Sequence, residues 1–264
     1  MVQFPEKPVY GMDDLVAMLR ILRAPGGCPW DMAQTHASNR RNFLEEAYEA
    51  AEAFDRDDPA LMCEELGDVL MQVLFNIHME EDAGRFTTDD VTDHVVRKLL
   101  YRHPHVFSNV RADTPDEVLV HWEQLKRAEK GQQTTGDALD AVARSLPALW
   151  RADKLQSKAA KAGFAFADVS GALCKLDEEV RELREAVETG GDAEEELGDA
   201  LFAAVMVGRF RGVDPEDALN AACEKFIRRF RAVEDAAAAQ GKTTNELENE
   251  ELAALWNAAK EAEQ

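Results

Sequence analysis

The sequence is poor in aromatic residues and in positive charge. Aromatic residues make up only 7% of it, and 30 Lys and Arg stand against 52 Asp and Glu, so the formal net charge is −22. Such a charge opposes nonspecific binding to nucleic acid or to an anionic membrane, and we expect neither as a partner. A small anionic ligand remains possible in principle, because a bound divalent cation reverses the local potential.

Cysteine is also scarce. Cys28, Cys63, Cys174 and Cys223 are far apart and form no C-x-x-C pair, which argues against a disulfide framework or a structural zinc site. No apolar run reaches the length of a membrane span, and the N-terminal stretch MVQFPEKPVY lacks the apolar core of a signal peptide. The expected location is therefore the cytoplasm, with reduced thiols.

Strand-like alternation is missing, and apolar residues recur at helical spacing along nearly the whole chain, which predicts an all-α fold. Pro59, Pro115 and Pro215 each follow a capping residue and mark helix starts. Gly190 is predicted to stop one helix, and Thr244 is predicted to cap the last one.

A polar, glycine-containing segment, KGQQTTGD, is the best linker candidate. It predicts an N-terminal helical domain at 1–130, a linker at 131–140 and a C-terminal helical domain at 141–264. Each half offers about five helices, enough for a bundle.

Four short patterns occur in the same order in both halves. EEAYE, EELGD, KLLYR and WEQLK in the first half correspond to EEVRE, EELGD, KFIRR and WNAAK in the second. One such pattern could arise by chance in an acidic chain, but their ordered duplication indicates a tandem repeat of one domain.

The repeated acidic patterns predict a metal site in each half. Carboxylates three residues apart share a helix face, and the turn at Gly190 suits two antiparallel helices whose carboxylates converge. Like charges so close repel each other unless a cation lies among them, and oxygen-only ligands suit Mg²⁺, with Mn²⁺ as a substitute. The predicted ligands are Glu179, Glu182, Glu196 and Asp199, and in the first half Glu46, Glu49, Glu65 and Asp68.

Each of these features also has a simpler interpretation. An isolated E-x-x-E is most often a solvated helix face. Asp199, which lies in an otherwise apolar helix, could instead hydrogen-bond to a neighbouring side chain. A di-iron site is disfavoured, because all six histidines lie in the first half and none has a Glu three residues before it. Zinc is disfavoured for the same lack of nitrogen and sulfur ligands.

Basic and aromatic residues in the second half suggest what the metal carries. Lys225 and Arg229 are one helical turn apart, as are Trp256 and Lys260. Beside a metal, such cations can hold phosphate oxygens, and a Trp can stack on a base or fill the core. Neither a P-loop nor a G-x-G-x-x-G motif is present, so ordinary NTPase and Rossmann folds lack support.

At these residues the sequence resembles the MazG family of nucleoside triphosphate pyrophosphohydrolases. The resemblance covers nearly the whole chain and includes E-E-x-x-E followed by E-x-x-D, twice, with the segments GCPWD, YRHPHVF, WEQLK, SLPAL and EKFIRRF. It implies two tandem MazG-like helical bundle domains that dimerise through interleaved helices. It also implies Mg²⁺-dependent hydrolysis of NTPs and dNTPs to monophosphate and pyrophosphate, with most activity in the C-terminal domain.

The resemblance also implies roles for individual residues. The four carboxylates of the second half would bind the metal, and Glu178 or Glu179 would orient or deprotonate the attacking water. The nucleotide contacts would be Lys175, Lys225, Arg229, Trp256 and Lys260, together with Lys126. A second site would add Lys98, Arg102 and Trp122 to the first-half carboxylates. It ranks behind the C-terminal site because histidines and prolines follow its basic pair.

Three functions from different classes fit these features. The leading one is an enzyme that clears nucleotides from the cellular pool. The second is a nucleotide-sensing regulatory protein with weak turnover, and the third is a structural helical dimer.

Overall fold

The computed structural model describes residues 3–263 as helices joined by loops, with no strand in that range, which confirms the all-α prediction. The chain divides into two compact units, of which unit 1 ends at Leu125 and unit 2 begins at Lys126. Within the described residues, no helix is both long enough and apolar enough to cross a bilayer.

Unit 1 is built around a pair of long helices, α3 and α4, with α1 packed against α4. Its elements are α1 (Met12–Arg23), α2 (Pro29–Ala33), α3 (His36–Asp55), α4 (Pro59–Asp82), α5 (Thr88–Arg102) and α6 (Pro104–Phe107), followed by α7 (Pro115–Glu129), which continues into unit 2. Asp58 caps α4 as predicted, because its carboxylate accepts hydrogen bonds from the backbone amides of Ala60 and Leu61.

Unit 2 repeats this plan with α10 and α11 as the long pair and α9 packed against α11. Its elements are α8 (Thr135–Asp140), α9 (Ala148–Lys161), α10 (Val169–Thr189), α11 (Ala193–Phe210), α12 (Pro215–Ala239), a 3₁₀ turn (Thr244–Glu246) and α13 (Asn249–Ala262). The segment predicted as a linker thus contains α8, which contacts α9. The prediction for Thr244 is wrong, because Thr243 caps the 3₁₀ turn and α13 begins only at Asn249.

The buried core of unit 1 lies between α1 and the second half of α4. It comprises Leu19, Leu74, Phe75, Ile77 and Met79, with partly buried side chains of α1, α4 and α5 packed around it. Burial of such side chains is the main force that holds these helices together.

A polar network closes the end of α4 beside this core. Glu80, a buried residue, pairs with His36 and Arg85, and these partners lower its pKa to about 2. Burial alone would raise the pKa of Glu81, but hydrogen bonds from Thr88, His78 and Arg20 outweigh it and hold this pKa at about 2. The network ties α4 to α1 and α5.

This network predicts an acid-sensitive fold. Both glutamates have folded-state pKa values near 2, against 4.5 when exposed, so their stabilisation is complete above about pH 4.5 and is lost as the pH falls toward 2. We expect Glu81→Gln to lower the melting temperature at pH 7 and to flatten its decline between pH 5 and pH 3, measured by circular dichroism. Asp93→Asn, which breaks an exposed pair with Arg97, should change neither quantity appreciably. Equal effects of the two variants would contradict this account.

Candidate metal and nucleotide site

The second acidic repeat lies on the α10–α11 helix pair, whose caps fix its geometry. Asp168 caps α10 by accepting a hydrogen bond from the amide of Gly171. The helix ends at Gly190, whose φ of 76° is a left-handed conformation that glycine adopts without a steric penalty. Asp192 then caps α11 through the amides of Glu194 and Glu195. This short connection holds the two helices together side by side and antiparallel.

Three carboxylates of this pair converge. Glu179 of α10 and Glu196 and Asp199 of α11 each offer an oxygen within 4.8 Å of the others. Glu179 is buried, Glu196 is half-buried and Asp199 is exposed. Asp199 is therefore exposed to water although its helix is largely apolar, so the case for a cation rests on the closeness of the three carboxylates.

The fourth predicted ligand, Glu182, lies outside this group of three but close to it. Burial raises the pKa of Glu196, and the charges of Glu182, Glu179 and Asp199 raise it further. Glu196 therefore keeps its proton to a higher pH than an ordinary glutamate. A divalent cation would relieve this repulsion, so the donor set fits a hard metal ion.

Lys175 supplies a counter-charge that the sequence patterns did not indicate. Its ammonium nitrogen lies 2.5 Å from a carboxylate oxygen of Glu179 and 3.1 Å from one of Glu178, and both partners raise its pKa. Lys175 precedes Glu179 by four residues and Glu178 by three, and this spacing along α10 could have revealed both pairs in the sequence. Lys175 was predicted to contact the nucleotide, and the structure places it directly against the two candidate catalytic carboxylates.

The first-half carboxylates form a similar group. Glu46, Glu49 and Glu65 offer oxygens within 4.8 Å of one another. Burial and the charges of Asp68 and Glu49 raise the pKa of Glu46, so Asp68 lies near the group without joining it. This half has no counterpart of Lys175. Lys175 precedes Glu178 by three residues, and the residue at the same spacing before Glu45 is Asn42.

Apart from Lys175 on α10, the predicted nucleotide contacts of the second half lie on α12 and α13, which pack against each other. The Trp256 ring lies 5.2 Å from the Phe226 ring, and Nε of Arg229 lies 2.6 Å from a carboxylate oxygen of Glu263. Lys225 is exposed and Lys260 is half-buried. Helix α10 packs mainly on α11, whereas α12 packs on α13 and α9. The carboxylates and these residues therefore lie on separate helix pairs. No sequence pattern pointed to Glu263.

Two of the corresponding residues of unit 1, Lys98 and Arg102, are more enclosed, whereas Trp122 is more exposed than Trp256. Arg102 is buried with its guanidinium 6.0 Å from the Trp122 ring, and Lys98 is half-buried on the same helix. Lys126, the remaining predicted contact, is half-buried on α7.

The raised pKa of Glu196 predicts a metal-dependent stability. A carboxyl group whose pKa is higher in the folded than in the unfolded state stabilises the fold at low pH, and this stabilisation is lost as the pH rises through the folded-state pKa. At pH 7 the charged cluster therefore destabilises the metal-free fold. We expect Mg²⁺ to raise the melting temperature at pH 7 and Glu196→Gln to raise it without Mg²⁺, each by roughly a few degrees.

The matched control is Glu194→Gln, which removes a charge from the exposed face of the same helix. It should leave the response to Mg²⁺ unchanged, whereas Glu196→Gln should remove part of it. Differential scanning calorimetry measures both, and an undiminished Mg²⁺ response in Glu196→Gln would show that this cluster binds no metal.

Comparison with known proteins finds the same duplication. The model of the MazG nucleotide pyrophosphohydrolase domain matches residues 34–107 and again residues 161–233. A nucleoside triphosphate pyrophosphohydrolase of Escherichia coli (strain K12) is 41% identical over 257 residues, which cover 96% of this chain and 98% of that protein. A nucleoside triphosphate pyrophosphohydrolase/pyrophosphatase MazG of Thermotoga maritima is 40% identical over 248 residues, which cover 94% of this chain and 95% of that protein.

Proposed function

Since the chain belongs to the MazG family of nucleotide pyrophosphohydrolases, we propose that it hydrolyses nucleoside triphosphates to monophosphates and pyrophosphate with Mg²⁺ as its cofactor. The observation that carries the proposal is the convergence of Glu179, Glu196 and Asp199 within 4.8 Å on two adjacent helices. Because these donors are all carboxylate oxygens, they match the ligands that Mg²⁺ prefers. In this proposal Glu182, beside the group, completes the metal-binding set.

When bound, Mg²⁺ neutralises the triphosphate and stabilises the charge that develops on the departing pyrophosphate. Side chains of the protein would activate the water and hold the phosphates. In this proposal Glu178, which is exposed and precedes Glu179 in the chain, orients or deprotonates the attacking water. Lys175 pairs with Glu178 and Glu179 and can exchange one of these partners for a phosphate oxygen when substrate arrives.

The basic residues of α12 and α13 would hold the outer phosphates. Arg229 is the best placed for bidentate contact, because a guanidinium presents paired donors that match phosphate oxygens. Its present partner, Glu263, lies near the end of the chain and would have to yield to the phosphate. Trp256 packs against Phe226, so the structure supports a packing role for its ring.

The proposed enzyme is a homodimer. Leu173, Val180 and Val187 recur every seven residues along α10 and are all exposed, as are Leu197 and Leu201 on the neighbouring helix. Exposed apolar side chains that recur every seven residues along a helix match helix-on-helix packing and are typical of a protein–protein interface. We place the enzyme in the cytoplasm, where it would clear nucleotides from the pool.

One assay separates the three functional classes. Wild-type protein incubated with dNTPs and Mg²⁺ should release pyrophosphate, and the release should stop with EDTA and in Glu182→Ala. Tight nucleotide binding without pyrophosphate release would favour the sensor instead. No nucleotide binding at all would leave only the structural dimer.

A further inference from the structure

Lys175 lies against the most deeply buried carboxylate of the α10–α11 cluster. Its ammonium nitrogen is 2.5 Å from an oxygen of Glu179 and 3.1 Å from an oxygen of Glu178. The side chain of Glu179 is only 6% exposed and that of Lys175 is 38% exposed, so the lysine reaches from the surface to a buried charge. A buried carboxylate is costly unless a cation compensates it, and Lys175 supplies that cation.

The same carboxylate belongs to the proposed metal-binding set. Glu179 is one of the three residues whose oxygens converge within 4.8 Å. A divalent ion and an ammonium group are both attracted to a carboxylate oxygen, but they repel each other. That repulsion is screened little beside a buried side chain. The lysine and a divalent ion are therefore expected to compete for Glu179.

A displaced lysine would remain beside the cluster. Lys175 precedes Glu179 by about one turn of the same helix, and its ammonium is carried on a flexible stem of four carbons. The ammonium can therefore turn away from Glu179 and stay near Glu178, whose side chain is more exposed. In that position it is available to a phosphate oxygen, with which a charged donor forms a strong hydrogen bond.

Unit 1 has the carboxylates without the lysine. The counterpart of Glu179 there is Glu46, and the residue four positions before it is Asn42. Glu46 is half-buried rather than buried, and the neutral side chain of Gln72 donates a hydrogen bond to it. The lysine thus occurs in the unit whose carboxylate is buried and is absent from the unit whose carboxylate is more exposed. This difference is expected if the lysine compensates a buried metal ligand.

We propose that Lys175 is a resident cation that a divalent ion displaces from Glu179, and that this displacement makes the lysine available to the triphosphate. The inference rests on the proposed metal-dependent hydrolysis and adds a coupling between metal and nucleotide to it. Because such couplings are reciprocal, the lysine weakens metal binding when no nucleotide is present, and the metal strengthens the contribution of the lysine to nucleotide affinity. A lysine that only held phosphate would leave metal binding to the nucleotide-free protein unchanged.

Titration of Mn²⁺ into the nucleotide-free chain, followed by electron paramagnetic resonance, tests the competition. The substitutions Glu46→Gln and Glu65→Gln first neutralise the unit 1 cluster, so that the α10–α11 cluster is measured alone. In this background Lys175→Met should tighten Mn²⁺ binding about tenfold, and Lys175→Arg, which keeps the charge, should not. Lys242→Met removes the same charge from a pair with Glu251 outside the cluster and should leave the affinity unchanged. Unchanged or weaker Mn²⁺ binding in Lys175→Met would overturn the inference.

A second titration measures what Lys175 contributes to nucleotide affinity. The ligand is a dNTP analogue whose bond between the α- and β-phosphates cannot be hydrolysed, and calorimetry follows its binding with Mg²⁺ and with EDTA. Lys175→Met should weaken binding about tenfold with Mg²⁺ and little in EDTA, where the wild-type lysine stays with Glu179. Chelation of Mg²⁺ by the nucleotide is the same for both proteins and cancels from the comparison. Equal weakening under the two conditions would overturn the inference.

Neither titration depends on turnover, which separates this inference from the proposed function. Absence of pyrophosphate release from wild type would contradict the proposed hydrolysis, and the Mn²⁺ titrations would still decide the role of Lys175. Absence of Mn²⁺ binding at the α10–α11 cluster in both wild type and Lys175→Met would overturn the inference and the proposed cofactor together.

Discussion

We expect Asp199→Asn to lower the rate of pyrophosphate release by about two to three orders of magnitude, and Asp68→Asn to leave most of it. Asp199 is one of three carboxylates within 4.8 Å, and an amide in its place removes a charge from the proposed metal-binding set. A loss of about 3–4 kcal/mol of transition-state stabilisation corresponds to that change in rate. Asp68 occupies the same position in a unit that has Asn42 in place of Lys175 and a buried Arg102 in place of Arg229.

Steady-state kinetics with a single dNTP at saturating Mg²⁺ measure both variants, and each serves as the control for the other. The two substitutions remove the same charge from the same motif, so any effect on solubility or net charge is shared. The opposite ranking would show that unit 1 carries the main active site.

We expect Arg229→Ala to lower kcat/KM by roughly ten- to a hundredfold and Arg228→Ala to change it little. A hydrogen bond between charged groups contributes about 1.5–3 kcal/mol, and Arg229 is the residue of the pair whose guanidinium is mostly enclosed on α12. Arg228 is mostly exposed and approaches the same Glu263 carboxylate only to 3.7 Å. Both substitutions remove one positive charge from adjacent positions of α12, so the change in net charge is the same.

A second readout distinguishes phosphate binding from a structural role of Arg229. If Arg229 holds phosphate, its loss should raise KM for the triphosphate. A modest fall in melting temperature is also expected, because its pair with Glu263 is partly enclosed. A large fall in melting temperature with unchanged KM would assign Arg229 to the α12–α13 contact instead.

The helices could be predicted because their signals are local. Asp58-Pro59 and Asp214-Pro215 mark the starts of α4 and α12, since a carboxylate cap and a fixed proline φ act within one turn. Gly190 ends α10 for an equally local reason. The prediction that Thr244 caps the last helix was wrong because Thr244 begins a 3₁₀ turn that lies before α13, and α13 is capped by Glu248.

The candidate site was only partly predictable. Spacing along one helix places Glu196 and Asp199 together, but which α10 carboxylate joins them depends on how the two helices are rotated against each other. Spacing does not fix that rotation, and the structure selects Glu179 over Glu182.

Titration of Mn²⁺ into metal-free protein, followed through the free-ion signal in electron paramagnetic resonance, tests whether these carboxylates hold a divalent ion. The wild-type chain should bind Mn²⁺ at the α10–α11 cluster, and Mg²⁺ should displace it. The double variant Glu196→Gln, Asp199→Asn should lose that class of site and keep any ion held by Glu46, Glu49 and Glu65. Identical Mn²⁺ binding by the wild type and the double variant would contradict the account.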